Sequence, residues 1–109
     1  MDLINELNNL IYKLDVSVKS LRKTGSDYAK AYTDYRIALA KELVRLKDDG
    51  MAVTIAYDVA RGKPEIAKLK FNEIATEAVY KANQEAINST KLQIKIIQEQ
   101  INKEWSNNE

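Results

Sequence analysis

The sequence predicts an all-α fold: a long antiparallel helical hairpin of coiled-coil type with a short connecting helix, assembled as a homodimer into a four-helix bundle. Three observations predict it. Thirteen positions from Ile4 to Leu46 recur in unbroken steps of three and four, and all but Gly25 and Glu42 are apolar or aromatic. A second stripe, from Ala67 to Trp105, runs through a stretch free of Gly and Pro. Between the two lies all the strong punctuation, Asp48-Asp49-Gly50 and Gly62-Lys63-Pro64. A 3.5-residue apolar period lines one edge of a helix and calls for a partner helix. With 45% hydrophobic and 30% charged residues, three Gly and one Pro in 109 residues, the composition is that of a long-helix protein with one domain over 1–109.

The first helix is expected over about 2–48. Its series is Ile4, Leu7, Ile11, Leu14, Val18, Leu21, Gly25, Tyr28, Tyr32, Tyr35, Leu39, Glu42 and Leu46. Thr24-Gly25-Ser26-Asp27 could stop a helix and cap another, but the period keeps its phase from Leu21 to Tyr28, so a continuous helix is expected. Carboxylates sit badly at the negative end of a helix, and Gly50 can adopt the left-handed conformation that ends one. A short helix over about 54–61 follows, with Thr54 as N-cap and Gly62 as its stop. Pro64 then suits the first turn of a third helix, about 64–105, and Glu65 complements its positive end.

Two such helices, joined by a short connection and level at their ends, pair residues whose numbers add to about 113 to 116. Tyr35 then faces Ala78, Tyr32 faces Ala82 and Tyr28 faces Ala86, bulky rings on methyl groups, while Leu21, Val18 and Leu14 face Ile94, Ile97 and Ile101. The same register leaves Leu3, Ile4 and Leu7 without opposite numbers, which marks them as candidate self-association residues in a homodimer or higher homo-oligomer. Glu42, the one charged position in the seam, is expected either to set register or oligomeric state or to yield its place to Leu43.

The search for chemistry excludes more than it finds. There is no Cys and no His, which removes disulfides, thiolate metal sites and the usual general base near neutral pH. The acidic residues show no metal-loop spacing, and no nucleophile with a base or cofactor cradle emerges. A non-enzymatic protein without cofactor or metal is therefore expected. Lys and Arg number 17 against 16 acidic residues, too balanced for strong attraction to phosphate backbones or anionic membranes. No apolar run approaches the ~20 residues of a membrane span, and the first residues lack a secretion signal, so the expected address is cytoplasmic. Candidate phosphate contacts are Lys19, Arg22, Lys23, Arg61 and Lys63; their acidic neighbours Asp15, Asp27, Asp58 and Glu65 favour a solvated face instead. Asp58-Val59-Ala60-Arg61-Gly62-Lys63 has one Gly where a phosphate loop needs a run of them. The tyrosines at 28, 32 and 35 are expected in the core rather than as a stacking platform, and Trp105 in the seam near Ile11 rather than on a partner surface.

The segments Tyr35-Arg36, Leu46-Lys47-Asp48-Asp49-Gly50-Met51, Asp58-Val59-Ala60-Arg61-Gly62, Ala67-Lys68-Leu69-Lys70-Phe71, Glu85-Ala86-Ile87-Asn88 and Ile101-Asn102-Lys103-Glu104-Trp105 cover about two thirds of the chain with their intervening residues. Together they resemble a group of small uncharacterised helical proteins encoded by phages and prophages of Gram-positive bacteria. The resemblance implies expression inside a host cell and carries no activity with it. Two functions from different classes stay open: a helical interaction protein acting through an oligomeric surface on a protein partner, and a nucleic-acid-associated accessory factor in phage replication or recombination.

Overall fold

The structure, a computed structural model, describes residues 2–107. Its regular elements among these residues are three α-helices: α1 over Leu3–Asp48, α2 over Val53–Gly62 and α3 over Pro64–Asn107. They group into two compact units. One is Thr24–Val79, and the other joins the described residues up to Lys23 with those from Tyr80 onward. Each unit contains a segment of α1 and a segment of α3, while α2 belongs to the first alone.

The ends of the helices follow from local chemistry. Asp2 caps α1: the Ile4 N–H donates to Asp2 Oδ1 at 2.9 Å and the Glu6 N–H to the Asp2 carbonyl at 3.1 Å. The helix passes through Gly25 unbroken. At its far end Gly50 takes a φ of 90°, its N–H donates to the Lys47 carbonyl at 3.0 Å, and the Met51 N–H reaches back to the Leu46 carbonyl at 3.1 Å. This pair of bonds is the Schellman motif, which satisfies carbonyls that the helix leaves open. Met51 also packs against the cluster containing Leu46.

The boundaries of α2 differ from expectation at both ends. Ala52, in an extended conformation and with no side-chain bond, occupies the N-cap, and Thr54 lies one residue inside the helix. Gly62 does not adopt a left-handed conformation. The helix ends because Lys63 precedes Pro64: the ring disfavours helical backbone at the residue before it, and Lys63 sits extended at φ −66°, ψ 130°. Pro64 opens α3, where a missing N–H costs nothing.

In the unit Thr24–Val79 the core is Tyr35, Leu39, Leu46, Ala56, Ala60 and Ile66. Ala56 and Ala60 are 0% exposed; one turn apart, their methyl groups let the α2 backbone approach α1 closely. Lys63 meets Glu42 and Tyr28 meets Glu77, so α1 and α3 run antiparallel here. In the other unit, the Asn83 Nδ2 donates to the Ser17 carbonyl at 2.9 Å, and Glu6 and Leu10 share an open hollow with Gln93 and Gln100. That pairing is antiparallel too.

The level-ended register is not the one adopted. Tyr28 bonds Glu77, nine positions earlier in α3 than the expected Ala86, a shift of about two and a half turns. Ala78 and Ala82 are exposed, Tyr35 is buried among aliphatic residues and Tyr32 is 43% exposed. The cause is α2, which folds back on Leu39 and Leu46 and delivers Lys63 to Glu42, a turn and a half before α1 ends. Leu3 and Leu7, expected to lack opposite numbers, are half-buried.

The inner face of α1 differs at four of the thirteen expected positions: Ile4, Ile11, Val18 and Tyr32 are exposed. Leu7, Leu14, Leu21, Gly25, Tyr28, Tyr35, Leu39, Glu42 and Leu46 are buried or half-buried as expected, and Leu3, Leu10, Ser17, Thr24, Ala31 and Ala38 join them. In α3 the expected stripe holds for Ala86, Thr90, Ile94, Ile97 and Ile101, whereas earlier Ala67, Phe71, Ile74, Ala78 and Ala82 are exposed and Ile66, Glu73 and Tyr80 turn inward instead. Phe71 and Trp105, at 72% and 69% exposed, lie outside.

The turn predicts a contrast between two glycines. Gly50→Ala should lower stability by about 1–2 kcal/mol, because a Cβ is disfavoured at positive φ even though nothing lies within 4 Å of it. Gly62→Ala, at an ordinary helical position with the same open space, should be neutral or add about 0.4–1 kcal/mol. Urea unfolding of the two variants measures both, and equal effects would contradict this account of the turn.

Candidate interaction surface

One heptad position of α1 changes its surroundings along the helix. With the leucines from Leu7 to Leu21 at a and Leu3, Leu10 and Ser17 at d, the residues Ile4, Ile11, Val18, Gly25, Tyr32, Leu39 and Leu46 all occupy e, on one flank of the seam. Leu39 and Leu46 are 5% exposed because α2 covers them. Ile4, Ile11 and Val18 are 49%, 48% and 49% exposed. The opposite flank, position g, carries Glu6, Lys13 and Ser20 over the same span. One flank of this unit is thus aliphatic and open, and the other is polar.

Of the three candidate self-association residues, Ile4 lies on the open flank, whereas Leu3 and Leu7 are half-buried on the inner face. Ile11 and Val18, expected in the seam, join Ile4 instead. Trp105 is at the e position of α3 and lies exposed rather than packed. Of the tyrosines, Tyr35 is core and Tyr28 half-buried, while Tyr32 is exposed, edge-on to Tyr28 at 6.4 Å and beneath the Arg36 guanidinium at 5.9 Å.

The basic candidates are largely engaged with the protein itself. Lys19 pairs with Asp15 at 2.9 Å, Lys23 also has a partner, and Arg22 is exposed beside them. The Arg61 guanidinium lies 5.3 Å over the Tyr57 ring. Lys63 Nζ is 3.2 Å from Glu42 Oε2, drawn inward. Lys19, Arg22 and Lys23 belong to one unit and Arg61 and Lys63 to the other. Neither group forms an unopposed basic patch of the kind that gathers phosphates.

Glu42 resolves the question its position raised: it stays inside, 8% exposed, and is paired. Arg45 Nη2 donates to Oε1 at 2.6 Å, Arg45 Nε to Oε2 at 3.2 Å, and Lys63 Nζ to Oε2. The Arg45 bonds, aided by Lys63 and opposed by burial, hold its carboxyl at about 2, down from the ordinary 4.5. Tyr28 donates to Glu77 Oε2 at 2.5 Å, and this bond, then burial and the Glu77 charge, push the phenol up to about 12. Glu73, also buried, receives Lys70 Nζ at 3.0 Å, and the same ammonium lies 4.9 Å over the Tyr35 ring. Each of these groups is paired within the protein, and Glu42 borders an open hollow that Lys41, Arg45, Lys63 and Glu65 also line.

Among the described residues no group of three acidic, His or Cys side chains could hold a metal ion, and no helix is long and apolar enough to cross a membrane. No family model matches the sequence, and no curated protein or solved structure is significantly similar to it.

Two titrations test the polar pairs. The folded Glu42 carboxyl titrates below the unfolded one, so its stabilisation is complete above about pH 4.5 and is lost as pH falls toward 2. The melting temperature should therefore drop over that interval, with a shallower drop in Glu42→Gln; parallel profiles would contradict the pairing. In an ultraviolet titration one of the six tyrosines should ionise near 12, and Glu77→Gln should return it toward 10.0.

Proposed function

We propose that this chain is a non-enzymatic helical interaction protein. It associates with a second copy through the open flank of α1 to build a four-helix bundle, and the assembled coiled-coil surface engages a protein partner. The observation that carries the reading is the aliphatic row Ile4, Ile11 and Val18, half exposed at seven-residue spacing beside a polar opposite flank. Rows of this kind are sites of helix association. The resemblance to phage-encoded proteins gives the setting, the interior of a host cell carrying a phage or prophage.

Sedimentation and affinity capture test the proposal. The wild-type chain should sediment as a dimer, and Ile11→Ser with Val18→Ser should weaken association by about tenfold or more, since each change exposes no new cavity but removes apolar contact area. Helical content should be retained, because both residues are already half exposed. A wild-type monomer at all concentrations would overturn self-association. Binding to DNA that falls steeply with salt, in place of protein capture, would overturn the protein-partner assignment in favour of the nucleic-acid class.

A further inference from the structure

The open flank of α1 also constrains how a second copy sits on it. We infer that a second copy lays its own α1 antiparallel across this flank, with the two Ile11 side chains meeting at a two-fold axis and Ile4 of each chain against Val18 of the other. The inference rests on the self-association proposed above and adds its geometry.

Three observations argue for it. First, the occupant must be apolar. The matching flank of α3, its own e position, carries Gln84, Lys91 and Gln98 before Trp105, so it offers no aliphatic row at seven-residue spacing to match Ile4, Ile11 and Val18, whereas another α1 does. A two-fold arrangement supplies that row, since Ile4 and Val18 lie seven residues to either side of Ile11. Second, direction is set by charge. The outward rim of the flank bears Asp15 and Arg22; parallel helices in register would set Asp15 on Asp15 and Arg22 on Arg22, whereas the antiparallel pair sets Asp15 beside Asn8. Helix dipoles favour the same choice. Third, the position is built for a helix. At Leu39 and Leu46 the e flank of α1 is already covered by a helix, α2, and the proposed contact places a helix against the same heptad position in the other unit.

The chain contains no cysteine, so introduced thiols report distances without interference. Ile11→Cys should be joined into a covalent dimer by a short bismaleimide. Ile4→Cys alone and Val18→Cys alone should not, because like residues would lie about 21 Å apart along the axis; an equimolar mixture of the two should cross-link. Cross-linking of Ile4→Cys and of Val18→Cys each to its own kind would show a parallel pair and overturn the inference. A wild-type chain that sediments as a dimer while Ile11→Cys resists cross-linking overturns the geometry and leaves self-association standing. A wild-type monomer removes both.

Discussion

The contact on which the rest of the unit Thr24–Val79 depends is the return of α2 onto α1. Two alanines one turn apart, Ala56 and Ala60, bring the helices together over Leu39 and Leu46, and the closeness of that approach decides where α3 can begin. Lys63 then arrives at Glu42 rather than near Asp48. The segment of α3 in this unit is displaced accordingly. The Glu42 carboxylate is held from one side by Arg45, three residues on in its own helix, and from the other by Lys63. Without Lys63 the buried acid would keep one cation instead of two, and burial of an underpaired carboxylate is unfavourable. The ion pair therefore penalises a sliding of α3 along α1, whatever its net contribution to stability.

Much of the fold was legible in the sequence for a reason that can be located. Gly50 and Pro64 act through their own backbone chemistry, which no distant contact can override, and both ended or began a helix where expected. The a positions of α1 repeat with leucine and tyrosine and were read correctly. Of the companion positions Leu39 and Leu46 are buried as expected, but before them two candidate rows compete. Ile4, Ile11, Val18 and Tyr32 are more apolar than Leu3, Leu10, Ser17, Thr24 and Ala31, and apolarity alone selects the former. The structure selects the latter, in which Ser17, Thr24 and Ala31 are small residues that bring backbones together. The Ser17 carbonyl even accepts a bond from Asn83. A pattern of hydrophobicity cannot distinguish a row that is apolar because it is buried in this chain from one that is apolar because it awaits another surface.

The register was misread for a related reason. Steric matching of tyrosines with alanines treats a seam as an apolar jigsaw, but this seam is partly polar. Glu42, Glu73 and Thr90 are buried, and Tyr28 reaches Glu77. Each polar group is satisfied by a specific partner: Glu73 by Lys70, Thr90 by the Ala86 carbonyl. Aliphatic side chains tolerate a shift of one turn, since Leu against Ile is much like Leu against Val. A phenol aimed at one carboxylate does not, and polar seam residues fix register for that reason. Periodicity records where such residues are and says nothing of which acid will meet which donor.

The same division explains the candidate surface. At the e position of α1, burial follows the presence of a third helix: Leu39 and Leu46 lie under α2 and are nearly inaccessible, while Ile4, Ile11 and Val18 have the chemistry of covered residues and the exposure of uncovered ones. A two-helix seam buries its a and d positions and leaves e and g half open, and those positions are ordinarily charged in a pair that is meant to stay a pair. The g position obeys that rule, with Glu6 and Lys13; the e position breaks it three times in succession. Branched aliphatic residues placed there would lower solubility if left in water, and they would do nothing for a hairpin whose seam is already filled. Their place in the heptad is accounted for once another helix lies over them.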